Sequence, residues 1–426
     1  MARTVRLPSP PDLLDAAGSD GLLWSDENGG LVGHGVAARL RLPGGLADGS
    51  AVRAVRDALA SIDVDDEVGL PGCGAVAMGA LPFDSFAAGE LVVPRRVVGR
   101  AGDTGWVTTI EPAHAGAGVW AAAARDARSP HAGSPPAAST NGGHRRPAAP
   151  EPPDHFTLTS SMPHVEWKAV VAGAVDVLRA GSLRKVVLAR RVDISANRPF
   201  VLPDVLSRLA ALYPSCMIFS INGFVGASPE LLIRRTGSHV ETHPLAGTVA
   251  RSGDAHADQA LVAGLMESPK ARHEHQVVVD FLRDALAPVC SKLEIPARPS
   301  VLGLRNVSHL ATHITGRLID REPPTALELV AAVHPTPAVG GTPTAAAVRY
   351  LRDVEGFDRG RYAGPVGWVD ARGDGAWAIG IRSAEITGAR ARIYAGNGVV
   401  AGSDPAEELA ETQLKLQALL AALVRP

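Results

Sequence analysis

The stretch "CMIFSINGFVGASPELLIRRTGSHVETHPL", residues 216–245, decides the fold class. It contains four short apolar runs, and only a few turn-forming residues separate each run from the next. Strands that follow one another this closely pair as antiparallel neighbours, because a parallel pair needs a much longer connection. The stretch therefore predicts an antiparallel meander.

The segments around this stretch alternate irregularly between helical and strand patterns. Apolar spacing predicts helices at 167–181, 204–214 and 268–289, a strand at 185–194, and a hairpin of 376–386 with 390–400 around Thr-Gly-Ala. Ser403-Asp404-Pro405 is typical of a helix start, because a capping oxygen precedes a proline at the first helical position. The order predicts an α+β fold of antiparallel sheets covered by helices, rather than repeated β-α-β units.

Three regions differ in composition. Residues 1–124 mix apolar runs with glycine turns, and 154–426 carry the clearer pattern described above. Between them, 125–153 is dense in Pro, Gly, Ser and Ala and lacks large apolar residues. Such a segment buries too little surface to offset its ordering entropy, so it is predicted to be a flexible insert.

Composition excludes several classes of function. The net charge of −2 gives no electrostatic footprint for nucleic acid or a membrane surface. The three cysteines, Cys73, Cys216 and Cys290, are too far apart for a disulfide framework or a zinc site. Without a signal-peptide pattern or a long apolar run, the chain is expected to be cytoplasmic, and a monomer is favoured.

Two predicted helices carry carboxylates that are candidates for metal binding. Glu408, Glu411 and Lys415 share one face of the helix after Pro405, which is either a solvated stripe or the wall of a site. Glu274 borders the apolar side of 268–289 and is either salt-bridged locally or bound to a cation. Carboxylates from two helices suit Mg²⁺. Zinc is disfavoured, because His273-Glu274-His275 lacks the HExxH spacing.

Three other charged residues lie on apolar strands. Lys185 shares a strand face with Val187, so it is either a desolvated base or a lysine at the wet end of its strand. Glu230 precedes two leucines and is either a proton donor or a strand-end acid. Arg382, in the interior of a predicted strand, indicates either a bound anion or an internal salt bridge.

Ten stretches resemble the chorismate-utilising enzymes, with isochorismate synthases the most similar members. They span about 155–420 in the expected order: "RKVVLARR", "GASPELL", "HPLAGTV", "SPKARHEH", "VSHLAT", "HPTPAVGGTP", "RYAGPVGW", "IGIRSAEI", "YAGNGVVAGSDP" and "EELAETQLKL". Residues 1–124 match more loosely, through "LLWSDENGGLVGHGVAARL" and "AVAMGALPFD". The resemblance implies a large sandwich of antiparallel sheets flanked by helices, which the N-terminal part completes.

The resemblance also implies a role for each candidate residue, with chorismate as substrate. Glu274 and Glu411 would bind Mg²⁺ directly, and Glu408 through water. Lys185 would activate the attacking water, and Glu230 would protonate the departing hydroxyl. The residues implied to bind substrate are Gly247, Thr248, His309, Ala338, Tyr362, Arg382, Gly398 and Lys415.

Three positions depart from the family pattern. Ala271 stands where many relatives carry an acid, Asn397 where alanine is usual, and Gly340 where a small side chain is often found. These departures predict an active enzyme whose metal affinity is lower.

Several activities remain open within the family. The main prediction is isomerisation of chorismate to isochorismate, for menaquinone or siderophore biosynthesis. Salicylate synthase is an alternative, because Tyr362 also occurs in such enzymes. An anthranilate or aminodeoxychorismate synthase component is less consistent with Lys185, and no glutaminase partner is expected. A catalytically silent chorismate-binding protein would lack the base, the acid or a metal ligand.

Overall fold

The computed structural model describes residues 1–111, 151–319 and 322–424. The predicted insert at 125–153 lies outside these residues, except for its last three. In chain order the elements are β1 (Ala2–Arg6), α1 (Leu13–Ala17), β2 (Leu22–Asp26), β3 (Gly29–His34), β4 (Ala38–Leu42), α2 (Gly49–Ala60), β5 (Val64–Asp66), β6 (Val76–Ala80), β7 (Gly89–Val93), β8 (Arg96–Ala101), β9 (Thr104–Ile110), β10 (Phe156–Ser160), α3 (His164–Arg179), β11 (Lys185–Ala196), α4 (Leu202–Leu212), β12 (Met217–Ile221), β13 (Phe224–Ser228), β14 (Leu231–Thr236), β15 (His239–His243), β16 (Leu245–Ala250), α5 (Ala255–Glu267), α6 (Pro269–Leu286), β17 (Cys290–Glu294), β18 (Ser300–Gly303), β19 (Val307–Ala311), β20 (Ile314–Leu318), α7 (Ala326–Val333), β21 (Gly341–Thr342), α8 (Thr344–Val354), β22 (Pro365–Asp370), β23 (Gly375–Ile379), β24 (Ser383–Thr387), β25 (Arg390–Val399) and α9 (Pro405–Leu423).

Two large sheets and one small sheet organise the described residues. The first large sheet has the order β10-β11-β25-β24-β13-β12-β2-β3-β8-β9-β1-β5, with β21 paired to β11. The second has the order β17-β20-β15-β14-β23-β22-β6-β7-β4, and the small sheet is β16-β19-β18. Within the described part of the chain the strands pair antiparallel, except that β1 and β5 run parallel. The predicted α+β sandwich is confirmed.

The two large sheets pack face to face, and helices cover their outer faces. Trp24 and Phe219 of the first sheet meet Met78 and Trp368 of the second in the core between them. Helices α1, α4 and α9 pack on the outer face of the first sheet. Helices α2, α6 and α7 pack on the second. A strand such as β12 is buried on both faces, so it reads as a continuous apolar run.

The stretch at 216–245 forms two hairpins in different sheets, so the predicted single meander is wrong. Strand β12 pairs with β13 in the first sheet, whereas β14 pairs with β15 in the second. The chain crosses between the sheets at Pro229 and Glu230. The Pro229 nitrogen has no hydrogen to donate to a ladder, and Glu230 N–H bonds to Ser228 Oγ instead.

A second crossover lies beside the first. Residues 376–386, predicted as one strand, divide into β23 of the second sheet and β24 of the first. Arg382 therefore sits between strands, not inside one, and has a left-handed φ of 50°. Its carbonyl accepts from Ala227 N–H, while Glu230 O accepts from Ile379 N–H. These bonds bring both crossovers, with their charged side chains, to one place between the sheets.

The helix after Pro405 begins as predicted. Asp404 caps α9 by accepting from the backbone N–H groups of Ala406 and Glu407. The helix packs on β25 and carries Glu408, Glu411 and Lys415. None of the helices in the described residues is long and apolar enough to span a membrane.

Candidate active site

The two crossovers border a pocket between the sheets. Charged, polar and aromatic side chains converge on it, which is typical of a site for a small polar ligand. The predicted residues that line it are Glu230, Gly247, Thr248, Glu274, His309, Ala338, Tyr362, Arg382, Gly398, Glu411 and Lys415. Lys185 lies beneath the wall, and Glu408 lines an adjoining groove. The fold therefore brings the predicted site residues together.

Glu230 is a buried carboxyl group and not a strand-end acid on the surface. The residue is only 4% exposed. Desolvation raises its pKa to about 8, although a hydrogen bond from Leu245 N–H and the charges of Lys185 and Lys415 act in the other direction. Glu230 therefore holds its proton at neutral pH and can donate it to a ligand in the pocket.

Arg382 offers a positive charge to the pocket. Among the described residues no carboxylate forms an ion pair with it, so the alternative of an internal salt bridge is not realised. Its guanidinium donates to Lys415 O and His309 Nε2, both at 3.4 Å. Desolvation lowers the pKa of Arg382, a cost that a bound anion would offset.

His309 is a neutral part of this anion site. Burial, followed by the charges of Arg382 and Lys415, lowers its pKa well below the usual value. Since Nε2 accepts from Arg382, the hydrogen-bond network places the ring proton on Nδ1, which donates to Thr248 Oγ1 at 3.0 Å. The imidazole thereby links β19 to β16, whose Gly247 and Thr248 line the pocket.

Two tyrosines form another wall of the pocket. The Tyr362 and Tyr394 rings stack with centroids 4.8 Å apart. A Cβ on Gly396 would come within 3.1 Å of the Tyr362 hydroxyl, so the missing side chain leaves that hydroxyl room. Sequence reasoning missed Tyr394, although its position two residues before Gly396 places it on the same strand face.

Lys185 and Glu274 form a buried ion pair. Lys185 is 1% exposed, and its Nζ lies 3.0 Å from Glu274 Oε1. The alternative of a lysine at the wet end of a strand is therefore wrong. Gly398 of β25 passes over the pair: a Cβ there would overlap Glu274 Oε1 and lie 2.8 Å from Lys185 Cε.

Three carboxylates border the groove that adjoins the pocket: Glu274, Glu408 and Glu411. Each one is paired. Lys415 Nζ lies 2.5 Å from Glu411 Oε1, and Lys270 Nζ lies 3.4 Å from Glu408 Oε1. As they lie, no three His, Cys, Asp or Glu side chains among the described residues are arranged to hold a metal ion.

The donor chemistry of this cluster nevertheless fits Mg²⁺. Carboxylate oxygens are the hard ligands that Mg²⁺ prefers. Desolvation is the largest cause that raises the pKa of Glu408, and the charges of Glu411 and Glu274 raise it further. Like charges that repel one another in a half-buried groove are stabilised by a cation. The zinc alternative finds no support, because His273 is exposed while His275 is buried and bonds to Thr312.

Three side-chain hydrogen bonds hold α9 against its neighbours. Arg190 Nη1 donates to Thr412 Oγ1 at 3.1 Å, and Asn306 Nδ2 donates to Leu414 O at 2.9 Å. Lys415 Nζ in turn donates to Gly396 O at 2.9 Å. These bonds anchor the part of α9 that follows Glu411.

A buried ion pair that sequence reasoning missed supports the opposite wall. Arg359 pairs with Glu355 and donates to the carbonyls of Val187 and Val339, which both line the pocket. Glu355 Oε1 also accepts from Ala189 N–H at 2.8 Å. The i,i+4 spacing of Glu355 and Arg359 predicts a pair, but nothing local indicates that it is buried.

The fold and the pocket together define a class of protein. An antiparallel sandwich whose pocket holds a buried acid and an arginine without an ion pair, beside a groove with three carboxylates, is the arrangement that the resemblance to chorismate-utilising enzymes implies. Residues 14–424 match the family described as chorismate binding enzyme. The chain belongs to this family, and the resemblance found in the sequence is confirmed.

Individual relatives are isochorismate synthases by name. The salicylate biosynthesis isochorismate synthase of Pseudomonas aeruginosa is 44% identical over 271 residues, which cover 62% of this chain and 56% of that protein. Isochorismate synthase DhbC of Bacillus subtilis is 37% identical over 359 residues, or 82% and 80% of the two chains. The structure of MenF, the menaquinone-specific isochorismate synthase from Escherichia coli, matches with a TM-score of 0.78 at 25% identity, covering 99% of this chain and 95% of that one.

Proposed function

We propose that this chain isomerises chorismate to isochorismate. Relatives named as menaquinone-specific and salicylate-biosynthesis isochorismate synthases support the proposal, as does membership of the chorismate-binding family. The product would enter menaquinone or siderophore biosynthesis, and the genes that neighbour the coding region distinguish the two.

The observation that carries the proposal is the proton held by Glu230. Its carboxyl group is neutral at pH 7 because burial raises its pKa to about 8. A hydroxyl leaves a ring carbon far more easily as water than as hydroxide, so the step needs a general acid within the pocket. Glu230 supplies this proton to the C4 oxygen.

The unpaired arginine gives the substrate its orientation. Arg382 and Tyr362 receive the carboxylate of the enolpyruvyl group, with help from the backbone at Gly247, Thr248 and Gly398. His309 and Lys415 complete the wall, and His309 stays neutral beside the arginine. This end of the pocket therefore binds one of the two carboxylates of chorismate.

The second carboxylate, on the ring, faces the acidic cluster. Glu274 and Glu411 would hold Mg²⁺ directly and Glu408 through water, which requires the first two to release their lysine partners. When bound, Mg²⁺ supplies the positive charge that the ring carboxylate requires beside three glutamates.

Lys185 acts as the base in this proposal. It takes a proton from water as the C2–O bond forms, the two ring double bonds shift, and the C4–O bond breaks. The departing oxygen leaves as water with the proton from Glu230, so the ring gains and loses one water. Lys185 lies directly behind Gly398 of the pocket wall, so its amine is beside the site of this attack once Glu274 has released it.

Ala338 influences which product the enzyme releases. Its methyl group lines the pocket, where a threonine typical of salicylate-forming relatives would add a hydrogen bond to the bound intermediate. We therefore expect isochorismate to be released before pyruvate is lost. The chain with chorismate and Mg²⁺ alone should give isochorismate in equilibrium with chorismate, measured by chromatography. Stoichiometric salicylate and pyruvate would assign a salicylate synthase instead.

We expect the protein to be cytoplasmic and to act without a glutaminase subunit. All three cysteines are free thiols, and those of Cys73 and Cys216 are buried, which suits a reducing compartment. A monomer remains the prediction for the oligomeric state. Sedimentation of the purified chain tests it.

A further inference from the structure

Asn397 is a buried amide directed at the acidic cluster. It lies on β25 between Gly396 and Gly398 and is 1% exposed. Its Nδ2 donates to the Glu408 carboxylate, and to the Glu408 carbonyl at 3.0 Å. Both acceptors therefore belong to one residue, which is itself 3% exposed.

The other end of the same amide lacks a partner among the residues that the structure describes. Asn397 Oδ1 is buried and accepts no hydrogen bond from any of them. A buried carbonyl oxygen without a donor costs free energy, and rotating the amide would place this oxygen against the oxygens of Glu408. The N–H groups therefore account for the orientation of this side chain, because they make a charge-assisted hydrogen bond to a carboxylate.

We propose that Asn397 is a positioning residue for the metal carboxylates, contrary to the lower metal affinity that its departure from the family pattern predicts. The strand that holds Asn397 also carries Gly398 across the Lys185–Glu274 pair. By binding Glu408, Asn397 fixes the acidic face of α9 relative to Glu274 on α6. Lys270 pairs with the other carboxylate oxygen, so both carboxylate oxygens of Glu408 have a partner.

This inference rests on the proposed Mg²⁺ site. Outer partners that orient metal ligands typically contribute ten- to a hundredfold in metal affinity. The Asn397→Ala variant should therefore bind Mg²⁺ about tenfold more weakly, measured by calorimetric titration of the chain without chorismate. The Mg²⁺ concentration for half-maximal turnover should rise by the same factor.

Asn306 offers a matched control. Its Nδ2 also donates to a carbonyl of α9, and its Oδ1 is likewise buried, but within the described part of the chain this side chain forms no hydrogen bond to a carboxylate. Asn306→Ala should lose comparable thermal stability and keep the wild-type Mg²⁺ affinity. If Asn397→Ala does not fold, Asn397→Ser, whose hydroxyl is too short to reach the Glu408 carboxylate, should show the same weakening.

The outcomes separate this inference from the proposed function. Wild-type Mg²⁺ affinity in Asn397→Ala, or equal weakening in Asn306→Ala, overturns the positioning role alone. If the wild-type chain binds no Mg²⁺, or if Glu411→Gln binds it equally well, both the metal site and the role of Asn397 are wrong.

Discussion

Replacing Glu230 by glutamine should abolish most turnover and at the same time stabilise the fold. Glutamine keeps the shape of the side chain but has no acidic proton to give. Loss of a general acid typically costs a hundredfold or more, so we expect turnover to fall by at least about that factor. Lower turnover together with higher stability distinguishes a catalytic acid from a structural one, whose replacement would lower stability.

The gain in stability follows from burial. Desolvation raises the Glu230 pKa from the usual 4.5 to about 8, so the folded chain keeps a proton that the unfolded chain loses near pH 4.5. Between these two values the free energy of unfolding falls as pH rises, by about 1.4 kcal/mol per pH unit. At pH 7 the glutamine variant should therefore be more stable by about 3 kcal/mol.

Urea denaturation of both proteins at pH 4.5, 7 and 8 measures this difference. It should be small at the lowest pH, where the wild-type carboxyl group is protonated in the folded chain and about half protonated in the unfolded chain, which makes that pH an internal control. Wild-type turnover should also decline above about pH 8, where Glu230 loses its proton. Normal turnover in the variant, or a stability difference that does not change with pH, would refute the assignment.

Two further substitutions and one control test the wall beneath the pocket. Lys185→Ala should lower turnover by about a hundredfold or more while chorismate binding suffers less. Steady-state kinetics and a separate measurement of chorismate binding check this difference, and wild-type turnover would show that Lys185 is not the base. Gly398→Ala should abolish activity because its Cβ would overlap Glu274, whereas Gly340→Ala should keep both activity and melting temperature, since its Cβ would meet no atom closer than 3.5 Å. Equal behaviour of the two alanine variants would contradict the close packing over the ion pair.

Local patterns predicted the regular elements of this fold well. The amphipathic run at 167–181 and the apolar strand at 185–194 correspond to α3 and β11, with ends shifted by a few residues. The capped start of α9 was readable from Ser403-Asp404-Pro405, because a proline at the first helical position loses no hydrogen bond. Such signals depend only on near neighbours along the chain.

The crossovers between sheets were not predictable in the same way. Residues 376–386 read as one strand because β23 is buried on both faces, β24 begins with two buried residues, and no glycine marks the left-handed position at Arg382. The ion pair of Glu274 was equally unpredictable, since its partner Lys185 lies on β11 whereas Glu274 lies on α6. The family resemblance placed these residues in one pocket, but only the tertiary structure gives their pairing.

Val187 and Gly398 are neighbours in the register of β11 against β25, although six of the nine strands of the second sheet lie between them along the chain. Closing so long a segment costs chain entropy before its contacts form, and pairings this distant slow folding. The same pairing sets Gly398 over Lys185 and Glu274. A chain diluted from denaturant should therefore recover its helical circular dichroism first, and its ability to turn over chorismate only when these two strands have met.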